Sequence, residues 1–321
     1  MNSELESLPA EIVDHPLIRI ASDLSLMAWE QMLAWRPLLG ASLDASVVDT
    51  KTSPNDLVTR ADAQIEALVR GYLSRVRPHD LIVGEEGSEA LDPVEFFPAD
   101  FLLKLRAFDS AAGALSEAAD DRRRLEWHVD PIDGTVNYVR NIEHHAFSVG
   151  VCAAAGEAGA GLGLGDWQIG LVASPGLDAT WLAAADRGAF RIDGRLADRR
   201  EADSAVPARR LRGTPPGLSG RLLATGFAYA VSNRGAQLAT LDDLMTGYDD
   251  IRRCGSAALD LCMVAEGRVN GYAERGLGIY DYAGGAVIVE EAGLKVSRGG
   301  PGGPTAAADT QEEVDRLIAA I

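Results

Sequence analysis

Apolar positions recur at helical spacing near the start of the chain. In SDLSLMAWEQMLAWRPLL (22–39), Leu24, Met27, Ala28, Met32 and Trp35 fall along one face, which predicts an amphipathic helix. Ile65, Leu68, Val69, Tyr72, Leu73 and Val76 predict a second, capped by Thr59 and ending near Pro78. DLIVGEEG (80–87) then reads as a short buried strand that delivers Glu85 and Glu86 at its C-terminal end. Residues 88–126 form a charged interlude with one short helix around Phe101–Leu105, and the basic run Arg122–Arg124 reads as a solvated face. WHVDPID (127–133) predicts a strand running into a turn.

Three further strands are predicted in HAFSVGVCAAA (145–155), IGLVASPG (169–176) and ATWLAAAD (179–186), the last turning at Arg187-Gly188 before AFRIDG. GEAGAGLGLGD (156–166) is a hairpin connection, since it lacks the strand–helix context of a dinucleotide loop. Composition breaks at 201–219, which divides the chain into an N-terminal subdomain, 1–205, and a C-terminal one, 206–321. Beyond the break, RLLATGF and VNGYAE read as strands, and residues 236–246, GSAALDLCMVAEG (255–267) and YDYAGGAVIVEEAG (280–293) as helices. Strands and helices mixed in this way indicate a layered α/β or α+β architecture.

Composition narrows the function classes. A length of 321 residues suits about two domains or one large layered unit. The apolar share is 47% and the charged share 24%, as in ordinary globular proteins. A net charge of −18 argues against nucleic-acid or anionic-membrane binding. The first residues carry no basic segment followed by an apolar core, and no apolar run reaches membrane-spanning length. Cys152, Cys254 and Cys262 lack metal-type spacing and are too few for a disulfide framework; buried thiols in a reducing cytoplasm are expected.

The carboxylates carry the chemistry. Glu85 and Glu86 end one strand, Asp130 and Asp133 flank a turn after another, and Asp281 begins a helix. Hard divalent cations such as Mg²⁺ take oxygen ligands of this kind, and the five histidines show no zinc pattern. Pro131 restricts Asp130 to extended backbone, so both aspartates and the Ile132 carbonyl between them are predicted to face one point. Gly134 and Thr135 then start a helix, whose free N–H groups suit an anion. Together these suggest phosphate-ester chemistry. Each residue also has a plainer reading: Asp62, Asp133 and Asp281 as helix caps, Glu85 and Glu86 as solvated strand ends, Thr135 as an N-terminal hydroxyl.

Seven motifs in order resemble the inositol monophosphatase family of Mg²⁺-dependent, lithium-sensitive phosphatases. They are KTSPNDLVTRADAQIE (51–66), GEEG (84–87), DPIDGTVNY (130–138), RGAFRIDGRL (187–196), TGFAY (225–229), RRCGSAALDLCMVAEGRVNGYAE (252–274) and YDYAGGAVIVEEAG (280–293). The resemblance implies a layered αβαβα sandwich of the sugar-phosphatase type in two subdomains, a homodimer, and two to three Mg²⁺ ions. It implies that Glu85, Asp130 and the Ile132 carbonyl hold the first metal, that Asp130, Asp133 and Asp281 hold the second, and that Glu85 helps hold a third. Gly134 and Thr135 would bind phosphate, and Thr135 with Asp62 would orient and activate the attacking water without a phosphoenzyme. Lys51 and Glu86 would lie close by; Gly255, Ser256 and Ala257 would line the substrate pocket, and Glu274 would accept from ring hydroxyls.

Three features depart from the family pattern. Tyr280 stands where Trp is usual, Leu294 replaces a Gly, and residues 88–126 are long enough for a lid, a dimer contact or an altered pocket rim. VNY after Asp-Gly-Thr resembles the inositol-phosphate branch, and Glu274 suits a polyhydroxylated ring. The alternatives are histidinol phosphate, another cyclitol or sugar phosphate, 3′-phosphoadenosine 5′-phosphate, fructose 1,6-bisphosphate, or a catalytically silent regulatory protein on the same fold. Apolar residues near 146–151 and 169–173 serve either a dimer interface or the core.

Overall fold

The computed structural model describes residues 5–39, 48–50, 57–107, 124–154, 166–198, 205–228, 231–300 and 302–321. Eight strands form the first sheet, in the spatial order β1 (Glu6–Ser7), β10 (Pro207–Arg210), β9 (Gly188–Asp193), β8 (Ala179–Ala184), β7 (Trp167–Ser174), β6 (Ala146–Ala153), β5 (Leu125–Asp133) and β4 (Leu81–Gly84). Only β4 and β5 run parallel; the other neighbours in this sheet are antiparallel. A second sheet of five strands is ordered β12 (Asp250–Arg252), β11 (Leu222–Thr225), β13 (Gly271–Arg275), β15 (Pro304–Ala308) and β14 (Lys295–Ser297). A hairpin of β2 (Val48–Thr50) and β3 (Leu57–Thr59) stands apart.

Helices fill the spaces around these sheets and complete an αβαβα sandwich. Pro16–Leu39 and Arg60–Val76 cover one face of the first sheet, against β5, β6 and β7. Ala257–Ala265 and Ile279–Glu291 lie between the sheets, the latter touching β5 to β9 on one side and β14 and β15 on the other. Gln311–Ala320 closes the outer face. The central helix is apolar nearly all round because both sides are covered. Its approach to the first sheet depends on small residues: a Cβ on Gly150 would lie 2.7 Å from the Ala283 Cβ, and one on Gly170 would lie 2.4 Å from the Gly284 carbonyl.

Most predicted elements are present, and the exceptions have local causes. β4 is half-buried rather than buried, because it is an edge strand of the first sheet. Residues 130–133 continue β5 instead of leaving it: Asp130 faces Ser148 and Asp133 faces Ala146, so one extra residue is accommodated as a bulge. The short helix expected at Phe101–Leu105 spans Ala99–Leu102, behind Pro98, and a second short helix, Pro93–Phe96, is capped by Asp92. Residues 146–151 and 169–173 are buried within this chain, where helices cover both faces of β6 and β7; they are core, not an exposed interface. Among the described residues, no helix is long and apolar enough to cross a membrane.

Candidate active site

The bulge at the end of β5 begins the site. It buries Asp130, Ile132 and Asp133 and passes directly into Gly134, whose φ of +86° is a left-handed conformation. A Cβ there would lie 2.9 Å from the His144 carbonyl and 3.1 Å from the Gly255 carbonyl, so glycine is required on both counts. Thr135 opens the helix Thr135–Val139, and its hydroxyl donates to the Ile132 carbonyl at 2.9 Å. Asn137 ties the turn to its surroundings by donating to the carbonyls of His144 and Cys254, at 2.7 and 2.8 Å.

Asp133 reaches across the molecule. Its Oδ2 accepts from the Ser256 hydroxyl at 2.6 Å and from the Ala258 N–H at 2.7 Å. Ser256 caps the same helix, its hydroxyl accepting from Leu259 N–H. One aspartate oxygen therefore satisfies the start of a helix far along the chain. Asp281 has a comparable double position: it lies in the first turn of Ile279–Glu291, and its Oδ2 accepts from Gly278 N–H at 2.6 Å.

The fold assembles these carboxylates from separate segments. Burial pushes Asp130 well above the usual carboxylate range, and the negative fields of Asp133, Glu85, Asp281 and Asp62 push it further. Asp281 is raised by burial and then by Asp133 and Glu85. Burial lifts Asp133 to about 6, against the lowering by Ser256 and Ala258. Asp130 Oδ1 is buried without a hydrogen-bond partner. Crowded, buried, oxygen-only donors with an unsatisfied lone pair fit a hard divalent cation such as Mg²⁺.

Soft donors also meet in two places. Glu126, His128 and Cys152 group within the first sheet, and His144, Cys254 and Asp260 group beside the aspartates, each set with ligand atoms within 4.8 Å of one another. Cys152 and Cys262 are buried and Cys254 is partly so; burial raises all three thiols.

A family model described as the inositol monophosphatase family matches residues 34–316. The chain belongs to that family. It is 37% identical over 278 residues to the inositol-1-monophosphatase SuhB of Mycobacterium tuberculosis, covering 85% of this chain and 81% of the relative. It is 30% identical to the Nus factor SuhB of Pasteurella multocida, over 76% of this chain and 72% of that one. The solved structure of Mycobacterium tuberculosis SuhB superposes with a TM-score of 0.63 and 31% identity, covering 94% of this chain and 93% of the other. The fold is shared with the extragenic suppressor protein suhB of Bartonella henselae, at TM-score 0.66 and 24% identity, over 95% and 97% of the two chains.

The remaining residues singled out by the family resemblance are placed as follows. Glu85 is exposed and Glu86 half-buried on the loop after β4, whereas Asp62 is buried in the first turn of Arg60–Val76. Gly255 has a φ of +93° and packs beside Arg253 and Asn137; Ser256 and Ala257 are buried next to it. Glu274 is raised by burial to about 7 and accepts from the Tyr272 hydroxyl at 2.7 Å. Gly226 makes room for it, since a Cβ there would lie 1.9 Å from the Glu274 carboxylate. Lys51 lies outside the described residues.

The three departures resolve differently. Tyr280 stands in the field of Asp281, Glu85, Asp130 and Glu86, with its ring folded against Gly278. Leu294 is buried in the core between the sheets and packs on Gly213. The described start of the long segment docks on the outer helices: Phe97, Phe101, Leu105 and Ala107 join the core, and Asp23 accepts from the N–H groups of Arg106 and Ala107. Residues 108–123 lie outside the described part.

Two features escaped the sequence reading. Glu66 is fully buried, and its carboxylate accepts from Glu86 N–H at 2.7 Å and Ser88 N–H at 3.0 Å while pairing with Arg70 at 2.8 Å. It thereby holds the loop that carries Glu85. The available signal was its i,i+4 spacing from Asp62, which puts both on one helix face. The second is the pair of His144 Nε2 and buried Asp260 Oδ1, 3.0 Å apart beside Asp133. Nothing local in the sequence links residues so far apart.

Proposed function

We propose that this chain is a Mg²⁺-dependent phosphate monoester hydrolase acting on inositol 1-phosphate. The observation that carries the reading is the field on Asp130: four carboxylates, from its own strand and three other segments, act on one buried group. Such a cluster beside the Gly134–Thr135 helix start suits a doubly charged cation together with a phosphate dianion. Sequence identity to relatives named inositol-1-monophosphatase supports the substrate.

In this reading Glu85, Asp130, the Ile132 carbonyl, Asp133 and Asp281 hold two to three Mg²⁺ ions, and the N–H groups of Gly134 and Thr135 bind phosphate. The bound cations supply charge neutralisation and a more acidic water. Thr135 and Asp62 would orient the attacking water, with Asp62 the carboxylate available to accept a proton and with Glu86 and Lys51 alongside. Gly255, Ser256 and Ala257 shape the pocket, and Glu274 in its ionised form accepts hydrogen bonds from ring hydroxyls. The protein acts as a cytoplasmic homodimer built of an N-terminal subdomain, 1–205, and a C-terminal one, 206–321.

The test is phosphate release from inositol 1-phosphate, histidinol phosphate, 3′-phosphoadenosine 5′-phosphate and fructose 1,6-bisphosphate. Inositol 1-phosphate should be hydrolysed fastest, only with Mg²⁺, with inhibition by millimolar Li⁺ and loss of activity in Asp130→Asn. A different preferred substrate replaces the inositol assignment. Relatives named Nus factor SuhB favour a second reading, a binding role without hydrolysis. Absence of release from every substrate would decide for that reading.

A further inference from the structure

A cavity of about 770 Å³ opens between β9, β10 and the turn after helix Ala257–Ala265. Its lining includes Arg191, Arg209, Arg212 and Arg268, with Glu266 as the one carboxylate among the described residues. This concentration of cations is set in a chain of net charge −18. Arg191 pairs with Glu266 at 3.2 Å and Asp193 at 3.3 Å; Arg268 reaches Glu266 at 3.5 Å and Arg209 reaches Asp193 at 3.9 Å. Three guanidinium groups thus share two carboxylates, and Arg212 pairs with none among the described residues, which leaves two positive charges uncompensated in these pairings.

The backbone beneath the arginines is pinned on both sides. Leu211 N–H donates to the Ala189 carbonyl at 2.8 Å, and Gly213 N–H donates to the Ala265 carbonyl at 2.9 Å. Leu211 and Gly213 are buried while Arg212 between them is exposed at the cavity rim. Arg210 turns instead to the other face of the sheet, over the Phe190 ring at 5.5 Å from its centroid. Opposite, Gly267 ends the helix at a φ of +68°, and a Cβ on it would lie 2.2 Å from the Gly213 carbonyl. That close approach brings Arg268 to the same cavity.

We propose that this cavity binds a small polyanion carrying two or more phosphate groups. Planar guanidinium forks match phosphate oxygens bidentately, and a pocket of this size accommodates an oligophosphate with or without a nucleoside. The site is separate from the carboxylate cluster: Ser256 and Ala258, which hold Asp133, stand at the start of the helix whose far end carries Glu266. Its nine residues separate the two by about 14 Å.

The test is calorimetric titration of the full chain with sodium tripolyphosphate at low salt and without divalent ions, where the carboxylate cluster repels anions. One saturable site is expected, weakened at least tenfold in the Arg212→Ala/Arg268→Ala double variant and unchanged in Asp130→Asn. Both arginines are exposed, and Glu266 keeps Arg191 and the Trp181 N–H as partners, so the double variant retains its thermal midpoint. Binding should weaken at least tenfold between 50 and 300 mM salt. Equal affinity for ATP locates recognition in the phosphate chain; tighter ATP binding adds a nucleoside contact, and both support the site. No saturable binding, equal affinity in the double variant, loss in Asp130→Asn, or binding of a single-stranded oligonucleotide in place of tripolyphosphate each overturns it.

Discussion

Without divalent cations, the buried aspartates Asp130 and Asp281 cost this protein stability as pH rises from 6.5 to 8. Glu274 has a folded pKa of about 7 against 4.5 in the unfolded chain, and Asp130 and Asp281 are displaced upward as well. A carboxylic acid whose pKa is raised by folding stabilises the fold while protonated and loses that contribution as pH climbs through the folded value. For Glu274 the full shift corresponds to about 3 kcal/mol, of which roughly 1 kcal/mol falls between pH 6.5 and 8. Asp130 and Asp281 add to the same slope. The opposing histidines act in the same window. Burial holds His15 and His128 near 4, and as the unfolded chain deprotonates through 6.5 each regains about 0.4 kcal/mol between pH 6.5 and 8, which offsets Glu274. His145, also lowered by burial, acts in the same direction. What remains of the fall in thermal midpoint in EDTA over this window therefore comes from Asp130 and Asp281, and it is read as the difference in slope between the wild type and Asp130→Asn. Mg²⁺ at a hundred times its dissociation constant should restore about 2.7 kcal/mol at pH 8. Asp130→Asn should flatten the slope and abolish the Mg²⁺ response. A metal-free slope in Asp130→Asn equal to that of the wild type, or an Asp130→Asn variant that responds fully to Mg²⁺, would refute the reasoning.

Three further outcomes follow from single side chains. Gly134→Ala places a Cβ into the His144 carbonyl at a left-handed φ, so it should cost more than about 1 kcal/mol in denaturant unfolding and remove most phosphatase activity. Glu66→Gln leaves the carboxylate cluster intact but loosens the 84–88 loop, and should weaken Mg²⁺ activation by about 10- to 100-fold with a smaller effect on saturated kcat. Glu274→Gln should raise KM for a polyhydroxylated phosphate ester and leave hydrolysis of p-nitrophenyl phosphate nearly unchanged; an equal loss on both would place Glu274 in the chemistry itself.

Much of the fold was legible because it is encoded locally. The strands β6 to β9 follow from their apolar runs and the turn at Arg187-Gly188, and the helix Ala257–Ala265 from the run GSAALDLCMVAEG with glycine at its start and Gly267 as its stop. Other elements were not. β14, β15 and the helix Gln311–Ala320 had no reading, and the stretch Pro304–Ala308 holds three alanines, whose strand conformation comes from pairing with β13 and β14. Asp130-Pro131 specifies extended backbone but not whether the chain then leaves the sheet; pairing with β6 keeps Asp133 in the strand.

The same division applies to function. By itself the sequence determined the candidate chemistry: an ordered set of carboxylates, a glycine–threonine helix start, and motifs resembling one phosphatase family. Only the tertiary structure decided that Asp62, Glu85, Asp133 and Asp281 act on Asp130, that Asp133 ties the start of a distant helix, and that Glu66 holds the loop beside Glu85. The arginine-lined cavity also exists only in the folded chain, since Arg191, Arg212 and Arg268 come from separate segments. The physical reason is that backbone preference and side-chain period act over a few residues, whereas burial and electrostatic fields act through space between segments that meet only on folding.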